Sequence, residues 1–533
     1  MEHPASKWNF LKTSAARWVA GYCFVLLCGV GLVYYWRVAY RFDSLSPGLA
    51  TAIVCAGFSA VYLAVFLCAH FLKQNLPLKA GVLVLLAALC FAAANPPLQA
   101  PDETMHFARA YSFGSGNFLL DQNEDYPQDV DALFAAFPGF YQSEVLAKGG
   151  PELPEAYAEY RRLVESGEEV PNAATSYQQL YAYLPPAAGV AVGRLFGADA
   201  LTCLYLARAA NALCYAALCA MAVYLAGRFV PLLLALMLSP IALFIAGSAS
   251  ADGLYLGCTW LFIGVCLSPV ITKKRLAALA GSFALLYVSK PTSIALLPLC
   301  FLLPFTEGTT KKGKRLRPAV KSGAAIAGGV GAALVLSKLF SWYVAAASNY
   351  GRVAYNLPGI DPTAQFKFVL SNPVRYLAVF CYSLYRDKAN LFSMGAFGWM
   401  DMNVEFLNYF APLVLLFAAA LCALEAAREP PRTGWLLALT GALFYGVTYS
   451  GMYLTSTPVT LAEINGVQTR YLLGAFFALF GLAAILLGRT MALQELRPGK
   501  PQKTPPAWRM LHLSFCFAVV GALLLFQKYY IGA

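Results

Sequence analysis

Long apolar blocks separated by short basic stretches dominate this chain. About 20 mostly apolar residues carry an α-helix through the hydrocarbon core of a bilayer. Blocks of that kind stand at 18–36, 49–72 and 79–95. After a polar interval they resume at 201–227, 229–247 and 253–271, then at 323–344, 406–426, 435–454, 471–488 and 511–527. The block 276–305 is too long for one helix and is interrupted by Lys290-Pro291. Basic clusters flank it on both sides, so it is expected to form two short helices, up and back. The pattern predicts an all-α polytopic membrane protein with about 13 crossings.

The loops set the orientation. Lys73 with Lys79, Lys273-Lys274-Arg275, the basic run 311–321, Arg428 with Arg432, and the stretch 489–509 all fall on one side. The positive-inside rule makes that side cytoplasmic, together with the N-terminus. The large polar loop 101–200, the stretches 345–403 and 455–470, and the C-terminus then lie outside. Three parts follow: residues 1–78 with two N-terminal helices, a membrane core 79–488 carrying the outer loop 101–200, and 489–533 with a basic loop and a final helix. Residues 154–166 read as a short surface helix. Segments 183–196 and 362–386 are expected in the outer interface. No internal repeat of the kind found in many transporters is visible.

Composition agrees. The 533 residues are 59% hydrophobic and 12% charged, against about 25% charged in globular domains. The net charge of +12 does not point to nucleic acid, because the Lys and Arg residues sit between apolar blocks. The 14 cysteines lie in or beside apolar segments, with no zinc-type spacing. Lys7, Lys12 and Arg17 precede a first block too long for a signal peptide, which reads as a retained anchor. Walker A, HExxH and GxSxG motifs are absent.

The sharpest local feature is Asn95-Pro-Pro-Leu-Gln-Ala-Pro-Asp-Glu-Thr-Met-His-Phe107. It sets Asp102, Glu103 and His106 where the third apolar block ends. Two readings stay open. The acids are N-caps of a helix starting near Thr104, favoured there by the macrodipole. Alternatively, a carboxyl held at a membrane mouth has the raised pKa that suits a general base.

The stretch from Pro101 through Tyr111 resembles the loop motif of bacterial membrane proteins grouped as domain-of-unknown-function family 2142. Further matching stretches are Tyr181-Ala-Tyr-Leu-Pro-Pro, Arg208 with Asn211, Ser248-Ala-Ser-Ala-Asp252, Gly398-Trp-Met-Asp401 and Asn465-Gly-Val-Gln-Thr-Arg-Tyr471. The similarity runs over 82–488. Thr469 departs from the pattern, where Gly is expected. That family in turn resembles the GT-C glycosyltransferases, which transfer a sugar from a polyprenyl phosphate on the outer face of the membrane.

The resemblance implies that Asp102 is a general base acting on an acceptor hydroxyl, with inversion at the anomeric carbon. Glu103 would orient the acceptor or, with Asp102, help bind a divalent metal such as Mg or Mn. His106 would fix a carboxylate, or serve only in packing. A lipid-phosphate leaving group calls for cations. Candidates are Arg109, Arg208, Lys290 and Arg470 with Tyr471, and further out Arg352, Arg386 and Lys388. Interfacial snorkelling is the plainer reading of Arg470 and Lys388. Asp252, Asp401 and Gln468 complete the candidates. The expected function is a membrane glycosyltransferase of the bacterial inner membrane, acting on an envelope glycan or lipid-linked acceptor. The alternatives are a flippase for a lipid-linked glycan and a non-catalytic assembly partner.

Overall fold

The computed structural model describes residues 5–40, 46–72, 75–118, 126–137, 153–170, 180–303, 318–346, 359–389, 393–398, 402–494 and 507–531. Helices make up nearly all of it. Seven of these helical stretches are long and apolar enough to cross a membrane: Trp18–Ala39, Pro47–Phe71, Leu76–Ala94, Ala200–Leu225, Glu405–Ala426, Thr469–Met491 and Ala507–Ile531. Shorter apolar helices, including Asp252–Cys266 and Pro291–Leu302, pack among them.

In chain order, α1 (Ala5–Tyr40) and α2 (Pro47–Phe71) pack on each other beside the core. Next, α3 (Leu76–Ala94) enters the core and packs along a later helix, Ala200–Leu225. The long segment between α3 and Ala200 contributes α4 (Glu103–Gly114), α5 (Gln128–Ala136), α6 (Leu153–Ser166) and α7 (Leu184–Leu195). Among these, α6 matches the surface helix expected at 154–166. The short α7 lies on α4 and on α8 (Ala200–Leu225). Its approach to α8 depends on Gly189, where a Cβ would stand 2.2 Å from the Leu206 carbonyl oxygen. Leu195 and Phe196 at the end of α7 are exposed.

The block 229–247 is not the single helix that its apolar run predicts. It forms α9 (Val230–Met237) and α10 (Pro240–Ala246), broken at Ser239. Pro240 lacks an N–H and drives the residue before it out of helical conformation; Ser239 has φ −65° and ψ 140°. A broken helix inside a bundle must find partners for its freed carbonyls. Tyr215 on α8 supplies one, donating to the Met237 carbonyl at 2.9 Å, and Trp260 Nε1 donates to the Tyr215 hydroxyl at 2.8 Å.

After α11 (Asp252–Cys266), the block 276–305 folds as an up-and-back pair. It consists of α12 (Lys273–Ser289) and a 3-10 helix, Pro291–Leu302, with Lys290 at the turn. Both ends of the pair return to one place: Arg275 at the start of α12 donates to the Ser268 hydroxyl, and Ser268 lines the same cleft as Leu302 at the end of the 3-10 helix. The lengths agree although the residue counts differ. Seventeen α residues rise about 25 Å, and twelve 3-10 residues about 24 Å.

The remainder comprises α13 (Pro318–Ala346), α14 (Pro362–Ser371), α15 (Pro373–Arg386), α16 (Glu405–Ala426), α17 (Pro431–Thr455), α18 (Leu473–Gln494) and α19 (Ala507–Phe526). A two-stranded ladder pairs Ala396 with Asn403 and Phe397 with Met402. The candidates Asp401 and Arg352, with Trp399 and Met400, lie outside the described residues.

Candidate functional site

The loop after α3 fixes the site. In Asn95-Pro-Pro-Leu-Gln-Ala-Pro-Asp102 two residues take left-handed backbone, Leu98 (φ 61°) and Asp102 (φ 60°). Such a conformation is tolerated by Asp far better than by most side chains. Asp102 occupies the N-cap position of α4, yet its side chain makes no capping hydrogen bond. Its carboxylate is one-third exposed and lies 3.8 Å from Arg470 Nη2.

Glu103, one residue on, has the opposite fate. Its side chain is wholly buried. Arg208 clasps it with two bonds, Nε to Oε1 at 2.8 Å and Nη2 to Oε2 at 2.7 Å. The same carboxylate accepts from the Ala249 amide at 2.8 Å and the Ala100 amide at 3.3 Å. Arg208 also donates to the carbonyls of Ala92, Asn95 and Pro96. A guanidinium has five N–H donors, and all five are matched here. No donor of Arg208 is left for a lipid phosphate. Instead, Arg208 ties the end of α3 to the start of α4 and, through Glu103, to the loop before α11.

That second loop carries Asp252. Asn211 on α8 donates to the carbonyls of Ser248 at 2.7 Å and Ser250 at 2.9 Å. Gly253 gives it room, since a Cβ there would stand 2.4 Å from Asn211 Nδ2. Asp252 Oδ1 pairs with Lys290 Nζ at 2.7 Å, and its Oδ2 lies 3.7 Å from Arg470 Nε. The Lys290 ammonium also lies over two rings, 4.4 Å from the Tyr471 centroid and 5.0 Å from that of Tyr255.

Arg470 is the centre of the arrangement. It starts from a short 3-10 helix, Thr469–Leu472, at the head of α18. Thr469, standing where Gly is expected, keeps an ordinary negative φ there. Arg470 is 5% exposed and donates from Nη2 to the Tyr471 hydroxyl at 2.9 Å. Its Nε and Nη1 have no hydrogen-bond acceptor among the described residues. It opens onto a narrow cleft walled by Pro101, Ile241, Phe244, Ile245, Gly398 and Gln468. The buried, under-satisfied guanidinium excludes snorkelling into bulk water as its role.

His106, one turn into α4, donates to or accepts from the Tyr183 hydroxyl at 2.8 Å through Nδ1. Burial lowers its pKa below the usual imidazole value, against the opposing pull of Asp102 and Asp252. Arg109 is buried with its guanidinium 4.1 Å from the Phe113 ring centroid. Arg386 and Lys388 stand in a separate group. There Arg386 pairs with Asp387 and Glu463 at 2.7 and 2.9 Å, and the Lys388 ammonium lies 3.5 Å from the Tyr385 ring centroid.

The fold thus gathers Asp102, His106, Asp252, Lys290, Arg470 and Tyr471 from four separate parts of the chain. The model of the family described as "Predicted membrane protein (DUF2142)" matches residues 83–478. The chain belongs to this family. The match begins inside α3 and ends inside α18, so it takes in every residue of the cluster. Neither a curated protein nor a solved structure matches the chain.

Within this DUF2142 core, the reasoning from sequence missed Tyr183 and Tyr255 as partners of His106 and Lys290. Tyr183 stood inside a quoted motif, and Tyr255 follows Asp252 by three residues, one helical turn. The pairing of Asp102 with Glu103 around a metal finds no geometry here, because Arg208 turns the Glu103 carboxylate away. Among the described residues, no three His, Cys, Asp or Glu side chains converge as metal ligands.

Proposed function

We propose that this protein is a membrane glycosyltransferase of GT-C type. It would transfer a sugar from a polyprenyl phosphate to a cell-envelope glycan or lipid-linked acceptor. One observation carries the reading: a partly exposed carboxylate, Asp102, stands opposite a buried arginine with unmatched donors, Arg470. A base and an anion-binding group side by side are what such a transfer needs.

In this reading Asp102 takes the proton of an acceptor hydroxyl. The oxygen attacks the anomeric carbon from the face opposite the leaving group, and the bond from that carbon to the phosphate oxygen breaks. The polyprenyl phosphate leaves with the electron pair, stabilised by Arg470 and Lys290, and the anomeric centre inverts. Asp252 holds the two cations, and Gln468 and Tyr471 line their approach. Glu103 and Arg208 position Asp102 rather than touching substrate.

The topology of the proposal has 13 crossings, counting α9 with α10 as one and the 3-10 helix as another. The N-terminus is cytoplasmic, and the Asp102 cluster faces outward from a bacterial inner membrane. The supporting pattern is the placement of charge. Among the described residues, ion pairs gather at the two ends of the bundle, with Arg228–Glu429 at the end opposite Asp102. A flippase path requires polar groups along its whole depth.

The test uses purified protein in liposomes loaded with a panel of polyprenyl-phosphate sugars and an envelope acceptor extract. Release of free polyprenyl phosphate coupled to labelling of the acceptor supports a transferase. Passage of intact lipid-linked glycan across the bilayer, with the sugar–phosphate bond unbroken for every donor, supports the flippase instead.

A further inference from the structure

At the end of the bundle opposite Asp102, a buried cation stands without a counter-charge. Lys79 lies in the first turn of α3 and is 5% exposed. Gly81 fixes its place, since a Cβ there would stand 3.0 Å from Ala220 Cβ, near the end of α8. Among the described residues the Lys79 ammonium makes no ion pair and no hydrogen bond. The sequence explains why. The helices α2, α8, α10 and α19 pack on α3, and neither they nor α3 itself contain an Asp or a Glu. A charge taken out of water is costly unless it is paired.

A second unmatched group comes from α19. His512 lies in the second turn of that helix, and its Nε2 is buried with no hydrogen-bond partner among the described residues. The Lys79 charge acts on this imidazole and on the neutral Cys68 thiol near the end of α2, so the three groups lie together. Trp508, one turn before His512, has its ring centroid 5.6 Å from that of the imidazole. The Arg509 guanidinium lies 5.6 Å from the Trp508 ring and is exposed. Both α3 and α19 begin at this place, so the positive ends of two helix dipoles add to the two side chains. An ammonium and an imidazole N–H set in that field match the oxygens of an anion.

The surrounding surface is apolar. Phe71 at the end of α2, Leu78 beside Lys79, and Trp508 and Leu513 on α19 are all exposed. Tryptophan next to a basic residue marks the level where bilayer meets water. An anion site at that depth, bordered by exposed apolar side chains, fits a lipid headgroup better than a dissolved ion.

We infer that Lys79 and His512 form a binding site for an anionic phospholipid of the phosphatidylglycerol type, in the leaflet opposite the Asp102 cluster. The lipid phosphate accepts from the Lys79 ammonium and from His512 Nε2. The acyl chains lie over Phe71, Leu78 and Leu513. Phosphatidylethanolamine would bring an ammonium of its own, and α2, α3 and α19 offer no carboxylate to receive it. The site therefore selects a headgroup of net negative charge. The inference is independent of the chemistry at Asp102.

The test is native mass spectrometry of the full chain, released from nanodiscs containing equal phosphatidylglycerol and phosphatidylethanolamine. The wild type is expected to retain one phosphatidylglycerol in about tenfold preference, the scale of one charge-assisted hydrogen bond. Lys79→Met is expected to abolish that preference, and His512→Phe to lower it severalfold. If Lys79→Met does not fold, His512→Phe is read in its place. Arg509→Gln removes an exposed cation at the same level and is expected to keep most of the preference. Equal retention of both lipids by the wild type, or an unchanged preference in Lys79→Met and His512→Phe, overturns the inference. A loss in Arg509→Gln as large as in Lys79→Met would overturn it in favour of diffuse surface charge. Displacement of the lipid by millimolar glycerol 3-phosphate would overturn it in favour of a soluble anion.

Discussion

Arg208 and Glu103 lie 105 positions apart in sequence and form a two-bond ion pair with both side chains wholly buried. Removing one partner of such a pair leaves an uncompensated charge, at about 3–5 kcal/mol. Glu103→Gln and Arg208→Met are therefore expected to lose folded protein. Arg208→Lys is expected to behave much like Arg208→Met, since one ammonium cannot reach five acceptors. Size-exclusion profiles and thermal midpoints in detergent check this. Wild-type midpoints for these variants would contradict the assignment of Arg208 as a structural clamp.

The left-handed backbone at Asp102 separates fold from chemistry. Asn tolerates this conformation as Asp does, and Gly relieves it, whereas Ala bears the steric cost of about 1–2 kcal/mol. Asp102→Asn and Asp102→Gly are expected to unfold within a few degrees of wild type, and Asp102→Ala at a lower temperature. Thermal scans of the three variants side by side decide it, and the lack of a side-chain cap at this position means that no capping energy confuses the comparison.

How far the sequence spoke for this molecule is clear from particular residues. Apolar length marked α3, α8, α16 and α19, and the Lys290-Pro291 interruption marked the up-and-back pair. The break at Ser239 was written in Pro240 but hidden by the unbroken apolar run around it. Asp102 and Glu103 are neighbours with the same charge. Their divergence arises because a left-handed turn sends one toward Arg470 and the other into the core. Arg208 looked like a phosphate ligand because an arginine in an apolar run needs a partner, and nothing local says which one. The cluster forms only when segments some 40 to 370 residues apart meet, and spacing along the chain carries no record of that.

Lys290 and Asp252 form the closest ion pair of the cluster, at 2.7 Å. Lys290→Met leaves the largely buried Asp252 carboxylate with only the more distant Arg470, which is expected to cost about 2 kcal/mol. The double variant Asp252→Asn with Lys290→Met is expected to recover most of that stability. A double-mutant cycle in thermal or denaturant unfolding should give a coupling above about 1 kcal/mol; additive effects would show that the pair is not coupled.

His106 gives a pH signature. Burial lowers its folded pKa below the unfolded value near 6.5. Between those two values the unfolded state binds more protons, so stability rises with pH. The contribution is complete above about 6.5 and is lost as the pH falls below that, through the folded value. The wild type should thus lose stability in mildly acidic buffer, and His106→Asn should lose less over the same window. Parallel curves for the two proteins would contradict a buried, neutral His106.

The central claim is that the Asp102 carboxylate acts as a base, and the most direct measurement compares sugar transfer by wild type and Asp102→Asn. Both would be reconstituted in liposomes at matched thermal stability, with the donor that the wild type uses. The account predicts transfer by the wild type and at least a hundredfold loss in Asp102→Asn, the lower range for a general base, with the protein still folded. Equal transfer by both proteins would contradict it and remove Asp102 from the chemistry.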